Sequence, residues 1–122
     1  MKVIYKAPGC APEPRDIPNT LEELQASVGG YIEAVRLTKD VVLICNEDGV
    51  MLNMPYNIKF LGLELVGPIL LVGVDGEEFT DLSPENTGFL MDALRKAENC
   101  KKEAEWVHTV QHSCKRRLCR ML

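Results

Sequence analysis

Val41-Val42-Leu43-Ile44-Cys45-Asn46-Glu47-Asp48-Gly49 decides the fold of this chain. Five apolar residues in a row, without alternation, read as a central strand covered on both faces. Asn46-Glu47-Asp48-Gly49 reads as a turn, with Gly49 placed for a positive φ. A strand of that kind needs neighbours in a sheet and two covering layers, so the flanking segments decide what those are.

Upstream, Thr20 and Glu23 form a capping box, and Leu21, Leu24 and Val28 follow at helical spacing before Gly29-Gly30 ends the run. A short amphipathic helix is predicted there, with a strand over Tyr31–Leu37 after it. Before the helix, Lys2–Lys6 alternates as a half-buried strand. Pro8, Gly9, Pro12, Pro14 and Pro18 restrict the next stretch to loop or edge strand. Downstream, Val50-Met51-Leu52 reads as a short returning strand, Pro55-Tyr56-Asn57 as a loop, and Ile69–Val74 as the last strong strand. Ser83-Pro84 is a helix start. From there apolar residues recur at spacings of three and four through Leu90, Leu94 and Ala97 toward Met121, as one helix or a helical hairpin.

The chain has 122 residues, 46% hydrophobic and 26% charged, with a net charge of -4. That is enough for one core, not two. The reading is α+β: a small antiparallel sheet with one short helix, then a long C-terminal helix or helical hairpin. Residues 1–82 form the α+β core domain, and 83–122 a helical extension for oligomerisation. A helix of ~38 residues spans ~57 Å, against a radius of gyration near ~13 Å for a small domain. A homodimer through that helix is therefore expected, with the hairpin as the alternative.

Charge is uneven. Residues 101–122 hold six Lys and Arg against two Glu, a formal +4, which leaves -8 for residues 1–100 out of the total of -4. The acidic body makes nucleic acid an unlikely partner. No apolar run reaches the ~20 residues of a membrane span, and Lys6 and Pro8 interrupt any leader-like stretch, so a cytoplasmic protein is expected. Cys10, Cys45, Cys100, Cys114 and Cys119 are odd in number and lack a CxxC pair, so buried, reduced thiols are expected.

Residues 1 to about 82 resemble an uncharacterised domain family of phages and mobile plasmids. The matching residues are Met1-Lys2-Val3, Pro8-Gly9, Ala11-Pro12, Asn19-Thr20-Leu21 and Leu24-Gln25. The most specific are Val28-Gly29-Gly30-Tyr31-Ile32-Glu33, Cys45-Asn46-Glu47-Asp48-Gly49, Asn57, Gly67 and Leu82. Ile58 stands where that family commonly has Arg. The resemblance implies a mobile-element origin and no mechanism. In size and layout the chain is also similar to the Thoeris anti-defence sponges, which sequester cyclic ADP-ribose-like signals in pockets at a subunit interface.

Seven residues are candidates for holding a ligand. Asn46, beside Glu47 and Asp48, can meet a ribose hydroxyl or a cation, or simply build a hairpin turn. Tyr31 and Glu33 share a strand face after the Gly pair, which is otherwise just the helix cap. Tyr56 and Asn57 suit stacking on a base with an amide reading its edge, or a tyrosine closing the core. Phe89 and Arg95 can stack on and neutralise a nucleotide at a dimer interface, or serve as core and surface.

His108 and His112 have i, i+4 spacing, but two ligands do not make a metal site. Lys115-Arg116-Arg117 with Arg120 can hold phosphate or complement the helix dipole. No Walker loop, GxSxG elbow or carboxylate–histidine set is present, so an enzyme is not expected, nor a cofactor. The expected function is counter-defence by stoichiometric binding, with a small cyclic nucleotide as ligand. The alternatives are a protein-directed nuclease inhibitor and a nucleic-acid accessory protein.

Overall fold

The computed structural model describes residues 1–105, with side chains through Glu98. Eight strands and two helices follow in the order β1 (Lys2–Lys6), β2 (Glu13–Asp16), α1 (Leu21–Val28), β3 (Ile32–Arg36), β4 (Val41–Asn46), β5 (Tyr56–Phe60), β6 (Leu63–Val66), β7 (Ile69–Asp75), β8 (Glu78–Thr80) and α2 (Pro84–Glu105). The architecture is α+β, and every strand pairing is antiparallel.

The main sheet runs β2-β1-β7-β4-β3, with β8 added beside β7 where β1 has ended. As its composition requires, β4 is buried along nearly its whole length, and so is β7. One face carries Ile4, Val41, Leu43, Ile69 and Leu71. A separate β5–β6 hairpin covers it with Ile58, Phe60 and Leu65, and α2 adds Leu90, Met91 and Leu94. The other face carries Val3, Val42, Ile44, Leu70, Val72 and Val74, under Leu24 and Val28 of α1 and Ile17 before it. Each such side chain contributes about 1.5–3 kcal/mol by leaving water. The helix that begins at Pro84 is thus built into the core through its first turns. Positions beyond residue 98 in the apolar stripe, and the expected dimer seam through them, lie outside the side chains described.

Both helix starts carry the expected N-cap bond, which at α1 is the Thr20 half of the capping box. Thr20 Oγ1 accepts from Glu23 N at 3.2 Å, and Ser83 Oγ accepts from Asn86 N at 3.1 Å. Gly29 takes the left-handed conformation at φ 81°, and its N–H and that of Gly30 both donate to Gln25 O, closing the last turn of α1.

Three expectations are corrected. Val50-Met51-Leu52 is not a strand but part of a run of turns, in which Leu52 N donates to Asp48 O and Asn53 N to Val50 O. Asn53 reverses the chain at φ 57° and Met54 N closes back on Gly49 O. Gly49 does not use a positive φ; a Cβ there would make a tight contact, 3.1 Å from Val66 Cγ2. Tyr56 and Asn57 are not in a loop: they open β5, with Tyr56 opposite Val66.

The β5–β6 hairpin turns on two residues, Leu61 at φ 51° and Gly62 at φ 79°, between the paired Phe60 and Leu63. Such a turn wants both residues left-handed, and Leu pays about 1–2 kcal/mol to comply. Leu61 is also exposed, so it has no core packing to lose. Leu61→Asn is expected to raise the unfolding free energy by about 1 kcal/mol. Urea titration checks this, and an unchanged midpoint would speak against strain at the turn.

Candidate functional site

The residues of the motif that ends α1 and opens β3 meet at Asn46. Its Nδ2 donates to Val28 O at 3.1 Å, the last residue of α1, and its Oδ1 accepts from Asp48 N at 2.7 Å. A Cβ on Gly30 would come within 2.9 Å of that Nδ2. Glu47 N donates to Tyr31 O at 2.8 Å, tying the same turn to the start of β3. Asn46 is therefore buried at a joint between helix, strand and turn, with its amide engaged inside the fold.

Asn57 does the same at the opposite face of the sheet. Its Nδ2 donates to Lys6 O at 3.0 Å and Gly67 O at 2.7 Å, and its Oδ1 accepts from Lys6 Nζ at 2.7 Å. The Lys6 ammonium has no exposed surface and is paired with the Glu98 carboxylate of α2 at 2.5 Å. Burying a lone ammonium is prohibitive, whereas one matched with a carboxylate and an amide oxygen is tolerated. This cluster joins β1, β5 and α2. With its amide fully used and no exposed surface, Asn57 does not present an edge for reading a base. Tyr56 beside it is 9% exposed, so it closes the core and offers no open stacking face.

The other four candidates are on the surface but not together. Tyr31 is 67% exposed and Glu33 is exposed, both at the sheet edge formed by β3. Phe89 is 71% exposed and Arg95 is exposed, both on α2. Tyr31 and Glu33 are thus one surface pair, whereas Phe89 and Arg95, six apart on α2, are turned about 120° from each other around the helix.

Cys45 lies opposite Glu33 in the β3–β4 ladder. Burial, and then the Glu33 carboxylate, push its thiol up to about 11, so it is protonated and unreactive at neutral pH. Cys10, expected to be buried, is exposed. Both histidines and the basic run Lys115–Arg117 lie outside the described residues. Among the described residues no three His, Cys, Asp or Glu side chains converge to hold a metal ion. No helix there is long and apolar enough to cross a membrane.

The described residues form a concave feature with the dimensions of a small ligand. A groove of about 580 Å³ runs between the start of β1 and the first turns of α2, lined by Lys2, Asp81, Leu82, Ser83, Pro84, Thr87 and Gly88. A smaller one continues it over Pro14, Arg15 and Asp16, sharing Lys2 and Thr87. Gly88 leaves space, since a Cβ there would meet nothing within 4 Å. The groove offers one ammonium and the Thr87 hydroxyl, both suited to an anion; the helix start beside them adds the positive end of its dipole, although Pro84 has no N–H and the Asn86 N–H is taken by Ser83 Oγ. Asp81 opposes this in part, but its Oδ1 already accepts Lys2 N at 2.8 Å. Lys2, Thr87 and Glu98 were not singled out by sequence. In the sequence Lys2 and Lys6 both read as polar positions of a half-buried strand; β5 and α2 enclose Lys6, while Lys2 stays exposed at the groove.

A protein-family model described as "Domain of unknown function (DUF3846)" matches residues 1–95. The match therefore takes in the part of α2 that packs on the sheet. No curated protein and no solved structure matches the chain.

Proposed function

The chain belongs to the DUF3846 family, and from that premise we propose that it is a counter-defence protein of a phage or mobile element that acts by stoichiometric binding. Its ligand on this reading is a small cyclic nucleotide immune signal of the cyclic ADP-ribose kind. The observation that supports this best is the groove at the start of α2. Its volume is in the range of pockets that hold small molecules. Its polar groups, the Lys2 ammonium and the Thr87 hydroxyl beside a helix N-terminus, suit a phosphate. The groove is open along one side, which a second protomer brought in by the C-terminal helix closes. Phe89, one residue beyond the Gly88 wall, then supplies an aromatic surface at that seam.

Binding to the folded state alone stabilises it by about 2.7 kcal/mol at a hundredfold excess over Kd. Incubation with the matching member of a panel of cyclic ADP-ribose isomers and cyclic oligonucleotides is therefore expected to raise Tm by several degrees. Boiling should then release the ligand unchanged. Lys2→Ala with Thr87→Val should abolish the shift without lowering the unliganded Tm appreciably. A flat panel, or a ligand recovered as a cleaved product, defeats the proposal. The second reading, a protein-directed inhibitor of a host nuclease, is favoured by the acidic character of the body.

A further inference from the structure

The two edges of the main sheet are not alike. β2 is four residues long, fully exposed, carries Pro14, and is laced by the Arg15–Glu13 ion pair. Those are the devices that stop an edge from pairing. β3 has no proline, and its register with β4 is unbroken from Ile32–Asn46 to Arg36–Val42. Among the described residues nothing pairs with its outer side.

The ladder fixes which groups face outward. Tyr31 O accepts from Glu47 N at one end, and Leu37 N donates to Val41 O at the other. In an antiparallel pair the bonded residues alternate, so residues 31, 33, 35 and 37 spend their backbone groups on β4. The N–H and C=O of Ile32, Ala34 and Arg36 point to solvent.

The chemistry at the Tyr31 end of this edge is one-sided. Residues 17–35 and 41–58, which build α1, β3 as far as Val35, β4 and the turns after it, contain Glu22, Glu23, Glu33, Glu47 and Asp48 and no Lys or Arg. The cations nearest Glu33 in sequence, Arg36 and Lys39, are at the far end of β3, where the Arg36 guanidinium donates to Lys39 O and Gly76 O. Three large apolar side chains stand exposed at the same end: Tyr31 at 67%, Met51 at 86% and Leu52 at 60%. The Tyr31–Glu47 backbone bond and the approach of Met54 to Gly29 hold that end together. Exposed aromatic and methionine side chains with an acidic surround mark an interaction surface.

We propose that the free edge of β3 takes up an extended, basic segment of a partner protein as an added strand. Backbone bonds to Ile32, Ala34 and Arg36 would hold it, its cationic side chains would meet Glu33 and Glu47, and an apolar one would rest on Tyr31 and Met51. This surface lies apart from the groove at α2 and does not depend on the nucleotide reading.

The probe is a labelled decapeptide alternating lysine and valine, with a glutamate–valine decapeptide as control. The lysine peptide should bind, weaken with salt, and slow amide exchange at Ile32, Ala34 and Arg36 specifically. Ala34→Pro removes only an outward N–H, so the sheet is retained while affinity falls by about tenfold or more. Glu33→Lys with Glu47→Lys should shift preference to the glutamate peptide, which tests the idea even if the proline variant fails to fold. Equal binding of both peptides by the wild-type chain overturns it, as does protection elsewhere. So does protection of the same three amides in the peptide-free chain with sedimentation as a dimer, since a second copy then occupies the edge.

Discussion

Asn57→Ala is expected to lower the unfolding free energy by about 3–5 kcal/mol, a large part of what a domain of this size possesses. The substitution removes little volume. What it removes is the partner of two buried carbonyl oxygens, Lys6 O and Gly67 O, and the amide oxygen that solvates the Lys6 ammonium together with Glu98 and, at 3.5 Å, Ala7 O. Each abandoned group costs about 1–3 kcal/mol because no water reaches it. A urea titration reads the loss as a drop in midpoint of about 2 M. The companion experiment replaces both charges. Glu98→Leu alone leaves Lys6 buried beside Asn57 and should be strongly destabilising. Glu98→Leu with Lys6→Met removes both charges and should recover most of the loss. If the single and double variants are equally unstable, the ion pair is not what holds α2 to β1 and β5.

The second large effect belongs to Gly73. It sits within β7, with Val41 on one side and Thr80 on the other. A Cβ at this position would overlap the Asp81 carbonyl oxygen, lie 2.8 Å from the Asp81 carbonyl carbon and reach 3.0 Å from Thr80 O. All three are backbone atoms, so no side chain can turn aside to relieve the clash. Gly73→Ala must push β8 and the link to Ser83 away from the sheet. That strains the Leu82 N to Lys2 O bond and the Lys2 N to Asp81 Oδ1 bond, which anchor the link. A loss of about 3 kcal/mol or more is expected. Gly88→Ala, where a Cβ meets open space, should be neutral to mildly stabilising by comparison. Comparable Tm values for the two would overturn the argument.

What could be read from sequence were the elements whose signals are local. The apolar runs of β4 and β7 mark strands buried on both faces, and the caps at Thr20 and Ser83 mark helix starts, because in each the deciding partner is a few residues away. β5 and β6 were not read. Asn57 interrupts the apolar pattern of β5, and its burial makes sense only once Lys6 and Gly67, distant in sequence, are brought beside it. Val50-Met51-Leu52 has strand composition but no neighbour to pair with, and so becomes turn. Of the exposed candidate ligand residues, Tyr31 and Glu33 are two apart on one strand and so share a face, while nothing local in the sequence relates that pair to Phe89 or Arg95. The two asparagines have the chemistry of binding residues and spend it on backbone of their own chain. The groove at α2 was invisible because it is made by the meeting of β1 with α2, distant in sequence.

The place of β1 has a consequence for how the chain is made. Its inner edge is claimed by β7, Lys6 lying opposite Ile69, so the first strand completes the centre of a sheet whose other half is synthesised much later. At ~5–20 residues per second, roughly 3–13 s pass between the two. During that time the β1–β2 hairpin has Val3 and Ile4 without cover, and β4 lacks the neighbour that buries it. Because β7 lies between β1 and β4, the main sheet cannot be completed until Ile69–Asp75 has been made. Truncation before Ile69 should therefore leave a chain without cooperative unfolding.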